Sequence, residues 1–334
     1  MKGVPAGMRP PVPLALAKAV SRIPPENALP GGCLYEPKWD GFRLALLTED
    51  DGVSLWSRQG KNLSRYFPEL VAAANKQIPP GFLIDGEAVI WSEGRLDFDA
   101  LQQRMTASKT NLAPLAVERP ASFAAFDLLT AAHYDTRGVP LSQRRELLEA
   151  LSSEWDAPLA LSPTTRDKKL AEQWFAEMPA TGIEGLVVKG ASQLYEGGQR
   201  QWLKVKHRDV IDVVCGAVIG SRTEPTAIVA GLPLREELVI VGRSTALSTK
   251  TARVLAQHLS PPASNHPWPE QISHGALDRF SKDKGPVALT LVEPIVVEVA
   301  ADVAWSGRSF RHPLRFRRVR PELQPLSLKP PKRE

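Results

Sequence analysis

The stretch LYEPKWDGFRLALL, from Leu34 to Leu47, places Lys38, Asp40, Gly41 and Arg43 inside an otherwise apolar, strand-like run. A compact charged turn in such a place has an ordinary reading. Asp40-Gly41 makes a tight turn, with Lys38 and Arg43 solvated on either side. A second reading is that the turn presents a reactive lysine, with an acid and a base beside it. The stretch alone leaves both open.

Further along the chain the same kind of pattern recurs. In QWLKVK (201–206) strand alternation puts Trp202, Lys204 and Lys206 on one face and Leu203 and Val205 on the other. Two lysines one strand-step apart repel unless an anion lies between them, although a solvated edge strand also carries lysines. In LIDGEAVI (83–90) Asp85 and Glu87 share a face, and paired carboxylates suit a divalent cation or sugar hydroxyls. A bulge or turn at Asp85-Gly86 is the plain alternative. In IEGLVVKG (183–190) Glu184 and Lys189 lie five positions apart, so a regular strand faces them to opposite sides. Either one alone lines a site or a bulge near Gly185 re-aims one of them.

Composition bounds the answer. At 334 residues the chain is long for one domain, and two are expected. Hydrophobic residues make up 43% and charged residues 24%, an ordinary balance for a chain with a packed core. No apolar run reaches the roughly 20 residues of a membrane span, and the N-terminus lacks the pattern of a signal peptide. Cys33 and Cys215 are far apart without metal-ligand spacing, which suits a reducing compartment. The net charge of +5 and a pI near 9.2 are compatible with a polyanionic partner. The charge concentrates in RQWLKVKHR (200–208) and RSFRHPLRFRRVR (308–320).

The coarse element reading is α+β. GFRLALLTEDDGVSLWSRQG reads as two strands joined at Asp51-Gly52. FLIDGEAVIW, ASFAAFDLLT, GIEGLVVKG and RQWLKVKH read as further strands. SQRRELLEALSSE reads as a helix capped by Ser142, and DKKLAEQWFAEM as one capped by Asp167. Elements mix without strict alternation. After His207 come apolar β-branched runs, DVIDVVCGAVIGS, EELVIVGRS and VALTLVEPIVVEVAAD, with one amphipathic helix at TKTARVLAQHL. That pattern suggests an OB-type β-barrel. The expected divisions are 1–207, 208–325 and a basic tail at 326–334.

EPKWDGFR, SRQG, LIDGE, FAAFDLL, IEGLVVK and QWLKVK follow one another in this order over residues 36–206. The ordered set resembles the covalent nucleotidyltransferase superfamily of ATP-dependent DNA ligases, RNA ligases and capping enzymes. Its wording is most similar to the small bacterial DNA ligases, including the ligase modules of end-joining proteins. The resemblance implies an adenylation domain of antiparallel sheets with flanking helices, followed by an OB-fold domain that closes over the nucleotide.

The resemblance also implies roles. Lys38 is the nucleophile that becomes lysyl-AMP, its pKa lowered by Lys204, Lys206 and a metal ion. Glu36 reads adenine, Phe126 stacks on it, and Arg43 and Glu87 meet the ribose. Trp202 lies on the face of Lys204 and Lys206, which hold the α-phosphate; Lys189 also contacts phosphate. Asp40, Asp85 and Glu184 line a Mg²⁺ position, where Mn²⁺ substitutes. Arg58 meets the 5′-phosphate of nicked duplex DNA. Asp209 is an interdomain pivot. RFRRVRPEL (315–323) stands where the superfamily carries a final Arg-x-Asp-Lys element. Arg317, Arg318 and Arg320 supply its charge, but Glu322 and Leu323 replace the aspartate and lysine.

The function expected is therefore nick sealing in DNA repair by a monomeric, cytoplasmic, nucleoid-associated enzyme without a DNA-encircling N-terminal domain, helped by repair proteins and away from membranes. An RNA ligase, a GTP-using capping-type enzyme and a catalytically idle nucleic-acid-binding protein are the alternatives.

Overall fold

The computed structural model describes residues 4–5, 7–234, 237–263, 265–277, 285–302, 309–310 and 312–329. The chain folds as two compact units, Met1–Lys206 and His207–Glu334.

In the first unit two sheets lie between helices. One sheet runs Gly52–Ser57, Phe42–Glu49, Phe82–Ser92, Ala121–Ala131, Tyr134–Asp135. Its Leu44, Leu46, Ile84 and Phe123 pack with Leu70, Leu101 and Leu148 from the helices Pro68–Gln77, Phe98–Thr106 and Leu141–Ser152. Alternation sends the next residues the other way. Ala45, Leu47 and Leu83 form a second cluster with Leu14, Tyr195 and Trp202. That cluster reaches the second sheet, ordered Ala17–Ala19, Trp202–Lys206, Gly185–Gly190, Cys33–Pro37. The outer face of this sheet, with Cys33, Tyr35, Leu186 and Val188, is covered by the helix Lys168–Glu177 through Ala171, Trp174 and Phe175. The layers are thus helix, sheet, sheet, helix.

Two local features shape the region between the sheets. Residues 38–41 carry the chain from Cys33–Pro37 in one sheet to Phe42–Glu49 in the other. A Cβ on Gly41 would lie 2.2 Å from the Ala88 carbonyl oxygen, so this crossing hugs the Phe82–Ser92 strand only because residue 41 has no side chain. The strand Ala121–Ala131 skips register at Phe126 and at Leu129 against its partner. Both are inserted residues of bulges, and both turn their side chains from the helix-covered core to the inter-sheet side.

Helix caps follow the sequence in one case and not in another. The Asp167 side chain accepts from the Lys169 N–H at 2.8 Å. Ser142 is not a cap: the helix begins at Leu141 with Pro140 at the cap position, and the Ser142 N–H instead bonds the Ala191 carbonyl. The backbone partner removes the need for a capping hydroxyl.

The second unit is a five-stranded antiparallel sheet in the order Glu237–Arg243, Pro225–Leu234, Arg208–Gly220, Thr290–Asp302, Arg315–Val319. Its two ends approach each other. Ser244 bridges Leu314, and the Phe310 N–H bonds the Val241 carbonyl, so the sheet curls toward a barrel. Val213, Ile228, Val241, Val297 and Leu314 fill the inside with Leu255 of the helix Thr249–Ala256. Of the basic tail, residues 330–334 lie outside the described residues, as do Arg308 and Arg311 of the late basic run. Among the described residues, no helix is long and apolar enough to cross a membrane.

Candidate active site

The inter-sheet layer of the first unit opens into a cleft of about 620 Å³. Glu36, Lys38, Arg43, Arg58, Glu87 and Phe126 line it. So do Lys189, Trp202 and Lys204 from the second sheet. Register explains the grouping. Val187 lies opposite both Glu36 and Lys204, and Lys189 is two residues further on the same face.

Lys38 follows directly on the Cys33–Pro37 strand. Its N–H bonds the Gly185 carbonyl and its carbonyl accepts from the Glu184 N–H, which pins it beside Glu184. The Lys38 Nζ lies 2.5 Å from Glu184 Oε2, and the Lys206 Nζ lies 3.2 Å from Glu184 Oε1. Burial lowers the Lys38 pKa, but Glu184, Glu87 and Asp40 outweigh it and raise the value. The expected lowering by Lys204, Lys206 and a metal ion is therefore not the balance of the protein groups alone, which favours the charged amine. The lowering falls on Lys204 instead, through burial and then the charges of Lys38 and Lys206.

Glu184 precedes its strand. Gly185 has φ +145°, and a Cβ there would meet the Val205 carbonyl oxygen at 2.1 Å, so this backbone bends as only glycine allows. The bend frees Glu184 from strand alternation, and Glu184 and Lys189 serve different ends of the same region.

Lys189 is fully buried. Its Nζ pairs with Glu36 Oε2 at 2.8 Å and donates to the Phe126 carbonyl at 3.0 Å. It sits 4.6 Å and 4.4 Å from the Phe126 and Trp202 ring centres. In place of the expected phosphate contact, the ammonium is held at the floor of the cleft by Glu36, the Phe126 carbonyl and the two rings. The bulge at Phe126 supplies the carbonyl that Lys189 uses. Burial raises the Glu36 pKa, with Lys189 opposing.

Asp85 is likewise not available to a metal. It is fully buried, with Arg43 Nε at 2.8 Å on Oδ1 and Arg43 Nη2 at 2.5 Å and the Tyr195 hydroxyl at 2.6 Å on Oδ2. A bidentate guanidinium plus a hydroxyl uses both oxygens, which is the stable arrangement for a buried carboxylate. Arg43 in turn lies 5.5 Å and 5.0 Å from the Phe126 and Trp202 ring centres. Among the described residues, no three acidic, histidine or cysteine side chains form a metal cluster. Asp40 and Glu87 do sit close enough to influence Lys38 electrostatically. Burial pushes Glu87 up to about 7 despite Lys38 and Arg43.

Arg58 is exposed, in the turn after Gly52–Ser57, and reaches the cleft. The turn is fixed by the Gly60 N–H on the Ser57 carbonyl and the Ser57 N–H on the Lys61 carbonyl. In the second unit Arg317 is the bulged residue of the last strand and is exposed. Arg318 pairs with Glu298 at 2.8 Å, and Arg320 with Asp212 at 3.1 Å and Glu322 at 2.5 Å. Glu322 therefore acts as a partner of Arg320. Asp209 is exposed and 3.6 Å from His207.

The sequence reading missed part of the wall. Pro13, Leu14, Leu16, Ala17, Trp39 and Arg200 also line the cleft. The N-terminal segment carries only small and apolar residues, so no chemical signal marks it. Arg200 had one, being two residues before Trp202.

The ATP dependent DNA ligase domain family matches residues 15–206. DNA ligase C2 of Mycolicibacterium smegmatis is 36% identical over 94% of this chain and 91% of its own length. DNA ligase C of Mycobacterium tuberculosis is 35% identical over 95% and 92%. Among solved structures, the ligase domain of M. tuberculosis LigD superposes with a TM-score of 0.50 at 25% identity, covering 95% of this chain and 98% of that one. A Lig E DNA ligase shares the fold at 17% identity and a TM-score of 0.54, over 92% and 99%. The architecture is the nucleotidyltransferase domain and OB-fold of these enzymes. With the cleft and its lysines in the matched region, the chain belongs to the ATP-dependent DNA ligases.

Proposed function

We propose that Lys38 is the nucleophile through which this ligase seals 5′-phosphate/3′-hydroxyl nicks. The observation that carries the reading is Lys38 itself, pinned by its backbone to Glu184 at the wall of a cleft with Glu36 and Phe126. The Lys38 amine attacks the α-phosphorus of ATP, forming a P–N bond as the P–O bond to pyrophosphate breaks. A 5′-phosphate oxygen of the nick then attacks that phosphorus and releases the lysine. The 3′-hydroxyl finally attacks the 5′-phosphate, and AMP leaves.

The cleft divides by chemistry. Glu36, Phe126 and Trp202 make an adenine end, with Lys189 locking Glu36 in place. Arg43 and Glu87 face the ribose. Lys204 and Lys206 hold the α-phosphate; burial first, and then the charges of Lys38 and Lys206, lower the Lys204 pKa, and an anion between these cations relieves their repulsion. Lys38 must shed its proton before it attacks, and in the unliganded cleft Glu184, Glu87 and Asp40 favour its charged form. Glu184 and Asp40 fit a Mg²⁺, or Mn²⁺, position. The two ammonium groups on Glu184 mark where positive charge is stable, and one or two carboxylates plus phosphate oxygens make an ordinary Mg²⁺ shell. Such an ion supplies charge neutralisation on the triphosphate.

Arg58 holds the 5′-phosphate. Arg317, Arg318 and Arg320 contact DNA or pyrophosphate, and Asp209 serves as a pivot. DNA repair, with repair proteins as partners, a monomeric state and a cytoplasmic, nucleoid-associated location complete the reading. Incubation with labelled ATP, then a chase with nicked DNA, tests it. Label should bind the protein and pass to DNA. Label from GTP alone, or discharge only on nicked RNA, would contradict it.

A further inference from the structure

Ala15 lies in the N-terminal segment that walls the cleft, and it is fully buried. Its neighbours are zipped to chain backbone. The Leu16 N–H bonds the Gln199 carbonyl, Leu16 accepts from the Trp202 N–H, and Leu14 accepts from the Gly198 N–H. Ala15 faces the other way and is held by side chains. Its N–H donates to the Tyr195 hydroxyl at 3.1 Å, and its carbonyl accepts from Arg43 Nη1. Tyr195 and Arg43 both bind Asp85 as well. Ala15, Tyr195, Asp85 and Arg43 therefore close a ring of hydrogen bonds.

We infer that Tyr195 is a positioning residue that couples this N-terminal strap to nucleotide binding. The inference rests on the reading of the cleft as the nucleotide site. Tyr195 itself does not line the cleft; it acts through the groups that do. Its hydroxyl is a double link, donating to Asp85 and accepting from Ala15. Its ring is held separately, edge-on to Trp202 with centres 5.9 Å apart and under the Arg144 guanidinium at 5.6 Å. Removing the hydroxyl alone leaves a buried N–H on Ala15 without its acceptor, while the ring contacts stay. The strap then loosens at Leu14–Ala17, and Arg43 keeps Asp85 but loses its partner in orienting the carboxylate. Nucleotide on the Arg43 side of the cleft tightens the same ring, and coupling of this kind is reciprocal.

The test has two arms. In the wild-type chain, hydrogen exchange is followed at the amides of residues 14–17 with and without ATP; ATP should slow exchange at Ala15. Tyr195→Phe should speed exchange there without ATP. It should raise the KM for ATP in the adenylation step by roughly 5- to 50-fold, with the rate at saturating ATP within about threefold of wild type. A rate loss at unchanged KM overturns the inference, because Tyr195 would then act on the chemistry. ATP that binds without slowing exchange at Ala15 overturns it too. A wild-type chain that binds no ATP would instead overturn the reading of the cleft.

Discussion

Glu87 sits among Lys38, Arg43, Asp40 and Asp85, and its carboxyl rises from 4.5 to about 7 because burial outweighs the two cations. A raised carboxyl means that the folded chain binds the proton more tightly than the unfolded chain between those values. Stability from this group is therefore full below pH 4.5 and is lost as pH climbs through 7. Glu87→Gln, which cannot ionise, should match wild type near pH 4.5 and become the more stable chain by about 1–3 kcal/mol at pH 8. Urea unfolding at the two pH values checks this. A variant no more stable at pH 8 than wild type would show that Glu87 is solvated. Residue identities were the most legible level of this chain. Glu36 and Lys204 meet in one cleft because strand alternation brings them there, Lys38 follows directly on the Glu36 strand, and Phe126 joins them through a bulge. What alternation could not reveal is who pairs with whom. Asp85 and Lys189 have the same residue types as site ligands, but the interior needs them as counter-charges to Arg43 and Glu36.

At the scale of elements, the strands with β-branched or alternating runs were readable, and so was the capped helix at Lys168–Glu177. The strand Pro225–Leu234 was not, because its prolines and Gly231 imitate a turn-rich linker. The N-terminal strap was not either, since a wall of Pro, Leu and Ala carries no chemistry in its letters. The SRQG segment is a turn, and its geometry bears on Arg58. A side chain on a turn fixed by backbone bonds reaches the cleft without belonging to a strand face. Arg58→Ala should leave adenylation of Lys38 within about threefold, whereas AMP transfer to nicked DNA should fall on the order of 100-fold. Arg58→Lys should recover part of the loss, because an ammonium lacks the two-pronged grip of a guanidinium. Single-turnover rates for each step decide it, and normal AMP transfer by Arg58→Ala would make Arg58 a surface residue.

For the whole molecule, the division at Lys206/His207 leaves every side chain lining the cleft in the first unit. In the second unit Arg318 and Arg320 are already balanced by Glu298, Asp212 and Glu322. A chain ending at Lys206 should still hold the nucleotide-binding residues. Its adenylation should nonetheless drop roughly 100-fold if arginines of the second unit orient the pyrophosphate. Sealing of pre-adenylated nicked DNA should drop less. Unimpaired adenylation would assign the second unit to DNA binding alone. The central claim, that Lys38 is the nucleophile, is tested most directly by mapping the AMP. The wild-type chain is incubated with ATP and a divalent cation, digested, and its peptides weighed. One AMP should be found, on the peptide containing Lys38, and none on Lys38→Ala, which should also seal no nicks. An adenylate on any other residue, or on Lys38→Ala, would contradict the account.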